Sequence, residues 1–190
     1  VEPGRTPPGG NEDLSSTQLA ALALFSAQRV GINAKRAVGE DILAFTLAQQ
    51  SEDGPRVAYR DPVDSKTARV ARARGFAYIR ASGDPDESRP RGGMTACGLA
   101  NLEMARYVLS DGGGKRDGWD RRPDAARVQE AIFDGLAWLD RNWSPFEDPQ
   151  AMNKNVYHVY WLYALERAMD LLDLRLVGRH PWYSEMGQQL

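Results

Sequence analysis

The residues of this sequence that could best take part in ligand chemistry are the aromatic side chains between positions 157 and 163. Tyr157, Tyr160, Trp161 and Tyr163 follow one another closely, and His158 lies among them. Aromatic faces suit a flat apolar molecule, and tyrosine hydroxyls need hydrogen-bond partners where they are buried. The cluster therefore predicts either a packed core or a ligand-binding cavity lined by Tyr157, His158, Tyr160 and Trp161.

The single cysteine, Cys97, lies in the small and apolar run Ala96-Cys-Gly-Leu99. A free cysteine in such a run usually packs as a small hydrophobic residue where two helices touch. One cysteine cannot form an internal disulfide, and this count leaves a cytoplasmic and an exported location equally open.

Composition narrows the classes of protein to which the chain can belong. Its 190 residues are enough for one domain with a real core, and its formal net charge is −2. Such a balanced charge does not favour binding to nucleic acid. Since no apolar run approaches about 18 residues, we expect a soluble domain with no transmembrane segment.

The two ends of the sequence differ from its middle. The first ten residues are rich in proline and glycine, and the chain opens on Val1. We expect a fragment or processed form with a flexible arm over residues 1–14. Residues 15–190 are then predicted to form one helical repeat domain that is incomplete at its C-terminus.

Apolar residues at helical spacing predict six helices in three antiparallel pairs. The predicted helices cover approximately residues 15–30, 33–49, 95–109, 123–143, 155–172 and 181–190. Ser15 or Ser16 is predicted to cap the first helix, Asn33 the second and Thr95 the third. Because aromatic or apolar side chains surround the fifth helix, we expect that helix to be central.

Residues 55–93 predict one long irregular loop between the second and third helices. Val57-Ala-Tyr59 and Phe76-Ala-Tyr-Ile79 look like short extended pieces, and Ser65 to Arg74 could form a helical turn or two. The segment from Ser82 to Gly93 has the composition of an exposed loop, in which acidic residues are simply solvated.

Several of these segments together resemble a known superfamily. They are Ser16-Thr-Gln18, residues 50–54, Gly93-Met-Thr-Ala-Cys-Gly-Leu99, Tyr163-Ala-Leu-Glu-Arg167 and Trp182-Tyr183. The chain resembles the prenyltransferase/squalene oxidase repeat proteins of the terpenoid cyclase/protein prenyltransferase α/α-toroid superfamily. The resemblance implies an all-α fold in which antiparallel helix pairs form a toroid, or an arc of one, around an aromatic-lined cavity.

The resemblance does not extend to the catalytic residues of squalene and hopene cyclases. Cyclases of this type protonate their substrate with an Asp-x-Asp-Asp motif, and the nearest string here is Asp84-Pro-Asp-Glu87. The cyclase repeat also has an aromatic residue where Arg56 stands, with Tyr59 as a substitute. The sequence therefore assigns no catalytic residue.

The resemblance also implies a zinc site as an alternative to a domain without cofactor. Prenyltransferase β subunits bind zinc through Asp-x-Cys and a histidine at the starts of two inner helices. Thr95-Ala-Cys97 keeps the cysteine but not the acid, and His158 follows Tyr157 as the family histidine does. Cys97 and His158 are then the metal ligands, completed by Glu103 or by an acid of residues 82–91.

Three functions follow from these patterns. The first is a toroid domain that holds an apolar, isoprenoid- or lipid-like ligand in its aromatic cavity without the standard catalytic motifs. The second is a non-catalytic helical repeat module that binds a protein or polysaccharide partner. The third is a zinc-dependent, prenyltransferase-like enzyme.

Overall fold

The computed structural model of the protein describes residues 12–60, 67–110, 118–153 and 156–188. It is mostly helical, with one small two-stranded sheet. Residues 1–11 of the predicted flexible arm over residues 1–14 lie outside the described residues, whereas its last residue, Leu14, is fully buried and belongs to the first helix.

Along the described part of the chain, two helices are followed by two strands and then by five further helices. They are α1 (Leu14–Arg29), α2 (Arg36–Ala48), β1 (Arg56–Arg60), β2 (Ala68–Arg72), α3 (Pro85–Ser88), α4 (Gly92–Leu109), α5 (Ala125–Arg141), α6 (His158–Leu172) and α7 (Trp182–Gly187). A 3-10 turn at Trp119–Arg121 precedes α5. The six predicted helices correspond to α1, α2, α4, α5, α6 and α7, whereas α3 was not predicted. None of the described helices is both long and apolar enough to cross a bilayer.

The start of α1 shows how the predicted caps differ from the observed ones. Asp13, rather than Ser15 or Ser16, caps this helix, because its carboxylate accepts hydrogen bonds from the Ser16 backbone N–H at 2.7 Å and from the Ser16 hydroxyl at 2.8 Å. The α2 helix begins after Lys35 without a side-chain cap, so Asn33 does not have the predicted role.

The central helix is α4, which packs against α1, α2, α5 and α6. Nearly all of its side chains are buried, and its small residues let the neighbours approach closely. A Cβ at Gly98, for instance, would collide with the Phe76 ring. The prediction that the aromatic helix α6 is central is wrong, since Val159 on that helix is 77% exposed. Small residues, more than large ones, allow a helix to be surrounded by others.

The α1 and α2 helices are joined by a short link but share only a small contact. Each of them buries its apolar face mainly on α4. The apolar core therefore forms around α4 and includes Phe76, which belongs to the segment predicted as an irregular loop.

That segment contains an antiparallel hairpin rather than a helical turn. Strand β1 confirms the extended piece at residues 57–59, whereas β2 replaces the helical turns predicted between residues 65 and 74. Asp134 of α5 holds the second strand, because its carboxylate accepts hydrogen bonds from the Arg72 backbone N–H at 2.9 Å and from Arg74 Nε at 2.6 Å. This contact comes from a distant helix and leaves no local pattern in the sequence.

Candidate functional site

A cavity of about 480 Å³ opens where the first turns of α1, α4 and α6 meet the segment that contains α3. We call it the tyrosine–aspartate cavity. Its lining residues are Ser15, Tyr78, Asp84, Asp86, Glu87, Arg91, Met94, Asp148, Tyr157 and Tyr160. The volume is within the range typical of small-molecule sites.

Hydrogen bonds between elements hold this end of the molecule together. The Leu14 backbone N–H donates to the Tyr78 carbonyl at 3.1 Å, which ties the start of α1 to the loop before α3. The Tyr160 hydroxyl donates to Gln18 Oε1 at 3.0 Å, which ties α6 to α1. The cavity walls therefore come from parts of the chain that are far apart in sequence.

Asp148, in the connection between α5 and α6, caps the central helix. Its Oδ1 accepts a hydrogen bond from the Gly93 backbone N–H at 2.8 Å, and the Pro149 carbonyl accepts one from Gly92 at 2.9 Å. A side chain at Gly92 would collide with Pro149 and Asp148. The helix can start here, three residues before the predicted cap Thr95, because glycine leaves room for the capping segment.

The second carboxylate oxygen of Asp148 is buried without a hydrogen-bond partner among the described residues. The residue has no exposed surface, and this burial raises the pKa of its carboxyl group to about 6, against the opposing effects of the Gly93 N–H and the Arg91 charge. Its Oδ2 can therefore accept a hydrogen bond or a cation from a ligand, or exchange a proton near pH 6.

Among the described residues that line the cavity, Arg91 is the only basic one. Its guanidinium carbon lies 4.6 Å from the centre of the Tyr157 ring and 5.6 Å from that of Tyr78. Its Nη1 lies 3.6 Å from Asp86 Oδ2, a loose ion pair, and its side chain is almost fully buried. The ring faces of this cavity thus already contact one cation.

The acidic string from Asp84 to Glu87 lies at the rim of the cavity. Asp84 Oδ1 accepts the Asp86 backbone N–H at 2.8 Å and so caps the short α3 helix. Glu87 Oε2 accepts the Ser82 hydroxyl at 2.6 Å. Asp84 is exposed, as predicted for a solvated loop, but Asp86 and Glu87 are half-buried and face a binding-sized cavity. The composition of this segment does not show which of its acids faces the cavity.

Of the four residues predicted to bind a ligand, Tyr157 and Tyr160 line the cavity. Trp161 instead lies in the core, fully buried, with its Nε1–H donating to the Ser144 carbonyl at 3.0 Å. His158 begins α6 and is half-buried, and its Nδ1 is buried without a hydrogen-bond partner among the described residues.

Cys97 is fully buried in α4, and its thiol donates a hydrogen bond to the Leu14 carbonyl at 3.2 Å. Burial raises the pKa of the thiol to about 12, so the group is protonated at neutral pH. A zinc ligand must be a thiolate. Within the described part of the chain, no three His, Cys, Asp or Glu side chains are grouped closely enough to hold a metal ion. The zinc set of Cys97 and His158 stays a prediction.

Sequence reasoning missed the two most chemically distinctive residues of the cavity, Asp148 and Arg91. The adjacent glycines Gly92 and Gly93 were the available signal, because a glycine pair at a helix start indicates a close approach by another segment. The sequence did not say which segment approaches.

Comparison with known proteins identifies no relative, since no family model, no curated protein and no solved structure matches the chain. The resemblance to the toroid superfamily therefore stays a prediction. Any functional conclusion has to come from the cavity itself.

Proposed function

We propose that this domain binds a small apolar ligand of isoprenoid or lipid type in the tyrosine–aspartate cavity. The observation that carries the proposal is a cavity of about 480 Å³ with Tyr157 and Tyr160 in its wall. Met94, which is almost fully buried, adds a flexible apolar surface at the same place. Ring faces and a thioether are the surfaces against which an unsaturated hydrocarbon chain packs well.

The finer architecture that we propose is an arc of an α/α toroid. The first turns of α1, α4 and α6 open onto one cavity, and in the chain these helices alternate with α2 and α5. Alternate helices of an α/α toroid would likewise begin at one end of the fold. This order supports the resemblance to terpenoid cyclases and protein prenyltransferases.

The proposal concerns binding and names no reaction. The sequence contains no Asp-x-Asp-Asp string, and a resemblance in fold does not assign a chemical step. Zinc-dependent prenyl transfer is the weaker proposal, because the Cys97 thiol is fully buried and already donates a hydrogen bond to the Leu14 carbonyl.

Titration with geraniol, a soluble isoprenoid alcohol, tests the proposal by calorimetry or by NMR. We expect saturable binding of one molecule per chain and a loss of affinity of at least about tenfold in Tyr157→Ala, which removes a ring from the wall. Tyr183→Ala is the matched control, since Tyr183 is 76% exposed on α7. An equal affinity in all three proteins, or no saturable binding, would refute the proposal.

A further inference from the structure

The charges around the tyrosine–aspartate cavity do not balance. Its lining residues include four carboxylates, those of Asp84, Asp86, Glu87 and Asp148, and one guanidinium, that of Arg91. Arg91 is paired with Asp86, and its charge also lowers the pKa of Asp148, so the described part of the wall holds four acids and a single cation. A purely hydrocarbon ligand would leave this negative charge uncompensated.

Among these four acids, Asp148 is the one whose negative charge is least favourable in this cavity. It has no exposed surface, and one of its two oxygens has no hydrogen-bond partner among the described residues. A buried carboxylate with a free oxygen is unfavourable unless a donor or a cation reaches it. Asp148 belongs to the cavity wall, so a ligand can supply that group if the wall shifts enough to uncover the oxygen.

Aromatic surface lies next to the free oxygen. A Cβ placed on Gly93 would be 3.2 Å from Asp148 Oδ2 and 3.2 Å from Cδ1 of the Tyr160 ring, so both atoms lie against the same backbone position. Tyr157 already contacts the Arg91 guanidinium through its ring face. Carboxylates combined with aromatic faces are the surroundings in which proteins bind ammonium groups.

The helix N-termini at the cavity argue for an anion, but two of them are already neutralised. The positive end of α1 contacts the carboxylate of Asp13, and that of α4 contacts the carboxylate of Asp148. The α6 helix has no side-chain cap, and each helix end is equivalent to only about half a unit charge. The carboxylates therefore outweigh the helix ends.

We propose that the ligand of this cavity carries an organic cation, an alkylammonium group that lies against Asp148 and the tyrosine rings while its hydrocarbon chain fills the rest of the cavity. This inference rests on the proposed function and adds a charge to the ligand. It places the ammonium group at the inner, aspartate side of the cavity and the chain against Met94.

Three ligands that share one hydrocarbon chain separate the two proposals. Geranylamine, geraniol and geranic acid carry a positive charge, no charge and a negative charge at pH 7.5. We expect the amine to bind at least about tenfold more tightly than the alcohol, and the alcohol more tightly than the acid. Equal affinities of amine and alcohol, or tighter binding of the acid, would overturn the cation inference and leave the proposed function standing. No binding by any of the three would overturn both.

Variants locate the charge selectivity. In Asp148→Asn the amide oxygen still accepts from Gly93, so the helix cap is kept, and we expect the preference for the amine to fall to about twofold or less. Asp86→Asn, at the rim, tests the same selectivity in a protein whose α4 cap is unchanged. The matched control is Asp170→Asn, an equal change of charge on the exposed end of α6. An unchanged preference in both cavity variants, with geraniol binding intact, would contradict the inference.

Discussion

At the scale of single residues, two opposing effects set the pKa of Asp148. As the cap of α4 it is stabilised by the Gly93 N–H, which favours the charged form, whereas its complete burial favours the neutral form. The second effect is larger, so the carboxyl group has a pKa of about 6, compared with its ordinary value of 3.8. The folded protein therefore binds a proton here more tightly than the unfolded chain does.

This difference predicts how stability depends on pH. Between about pH 4 and pH 6 the native state holds more protons on Asp148 than the unfolded state, so its contribution to stability is present at low pH and is lost as the pH rises through 6. Asp148→Asn removes this dependence. We expect the free energy of unfolding of wild type to fall relative to the variant by about 3 kcal/mol between pH 3.5 and pH 7.5. Denaturant unfolding at several pH values measures it, and parallel curves would contradict the assignment.

The cysteine allows a second prediction at this scale. Because the Cys97 thiol is fully buried and its pKa is raised, iodoacetamide at pH 8 should not modify the native protein but should modify it completely in denaturant. Mass spectrometry of the whole chain gives the result. Rapid modification of the folded protein would show that the thiol is accessible or ionised.

The zinc alternative is tested on the same residue. If Cys97 only packs, metal analysis of the purified protein will find no zinc that depends on it. Stoichiometric zinc that is lost in both Cys97→Ala and His158→Ala would contradict the packing role and support the zinc site.

At the scale of elements, the start of α4 depends on glycine. Gly92→Ala places a methyl group against Pro149 and Asp148, and we expect it to lower the free energy of unfolding by about 1–3 kcal/mol. The matched control is Gly83→Ala, since a Cβ at Gly83 meets no atom within 4 Å. That control should change stability by less than about 0.5 kcal/mol. Equal effects of the two substitutions in urea unfolding would show that the capping segment does not approach as described.

The elements also show what local sequence can and cannot specify. Helix positions follow from apolar spacing, and α1, α5 and α7 each begin within about two residues of the predicted start. Caps were less predictable, because Asp148 reaches Gly93 across 55 positions of sequence. Strand β2 was wrongly predicted as a helical turn because a distant residue, Asp134 of α5, holds it in place by a hydrogen bond.

Burial was the least predictable property of the helices. The many aromatic residues of α6 indicated a central helix, but packing density rather than hydrophobicity decides which helix four others can surround. A Cβ at Gly98 would collide with the Phe76 ring, and a Cβ at Gly135 of α5 would lie 2.9 Å from Leu99 of α4. Glycine at these two positions therefore lets α4 and its neighbours approach closely. In the candidate site, Tyr157 and Tyr160 were predicted, whereas Arg91 and Asp148 depend on the tertiary structure.

At the scale of the whole molecule, the cavity exists because three helices begin at the same end of the fold. Ser15, Met94 and Tyr160 lie in the first turns of α1, α4 and α6, so each helix contributes to one wall. A protein of this design offers a ligand a site that no single helix pair could form. The proposed function therefore depends most on whether a ligand fills this space.

A cavity-filling variant tests that claim most directly. Ser15 lines the cavity and is half-buried, so Ser15→Trp introduces a large ring into the cavity. Ser184→Trp introduces the same ring at an exposed position of α7. The measurement is the dissociation constant of geraniol for both variants and for wild type, with folding checked by circular dichroism. We predict that Ser15→Trp abolishes saturable binding, while Ser184→Trp binds geraniol as wild type does. Unchanged binding by a folded Ser15→Trp protein would contradict the account, because the ligand would then lie outside the tyrosine–aspartate cavity.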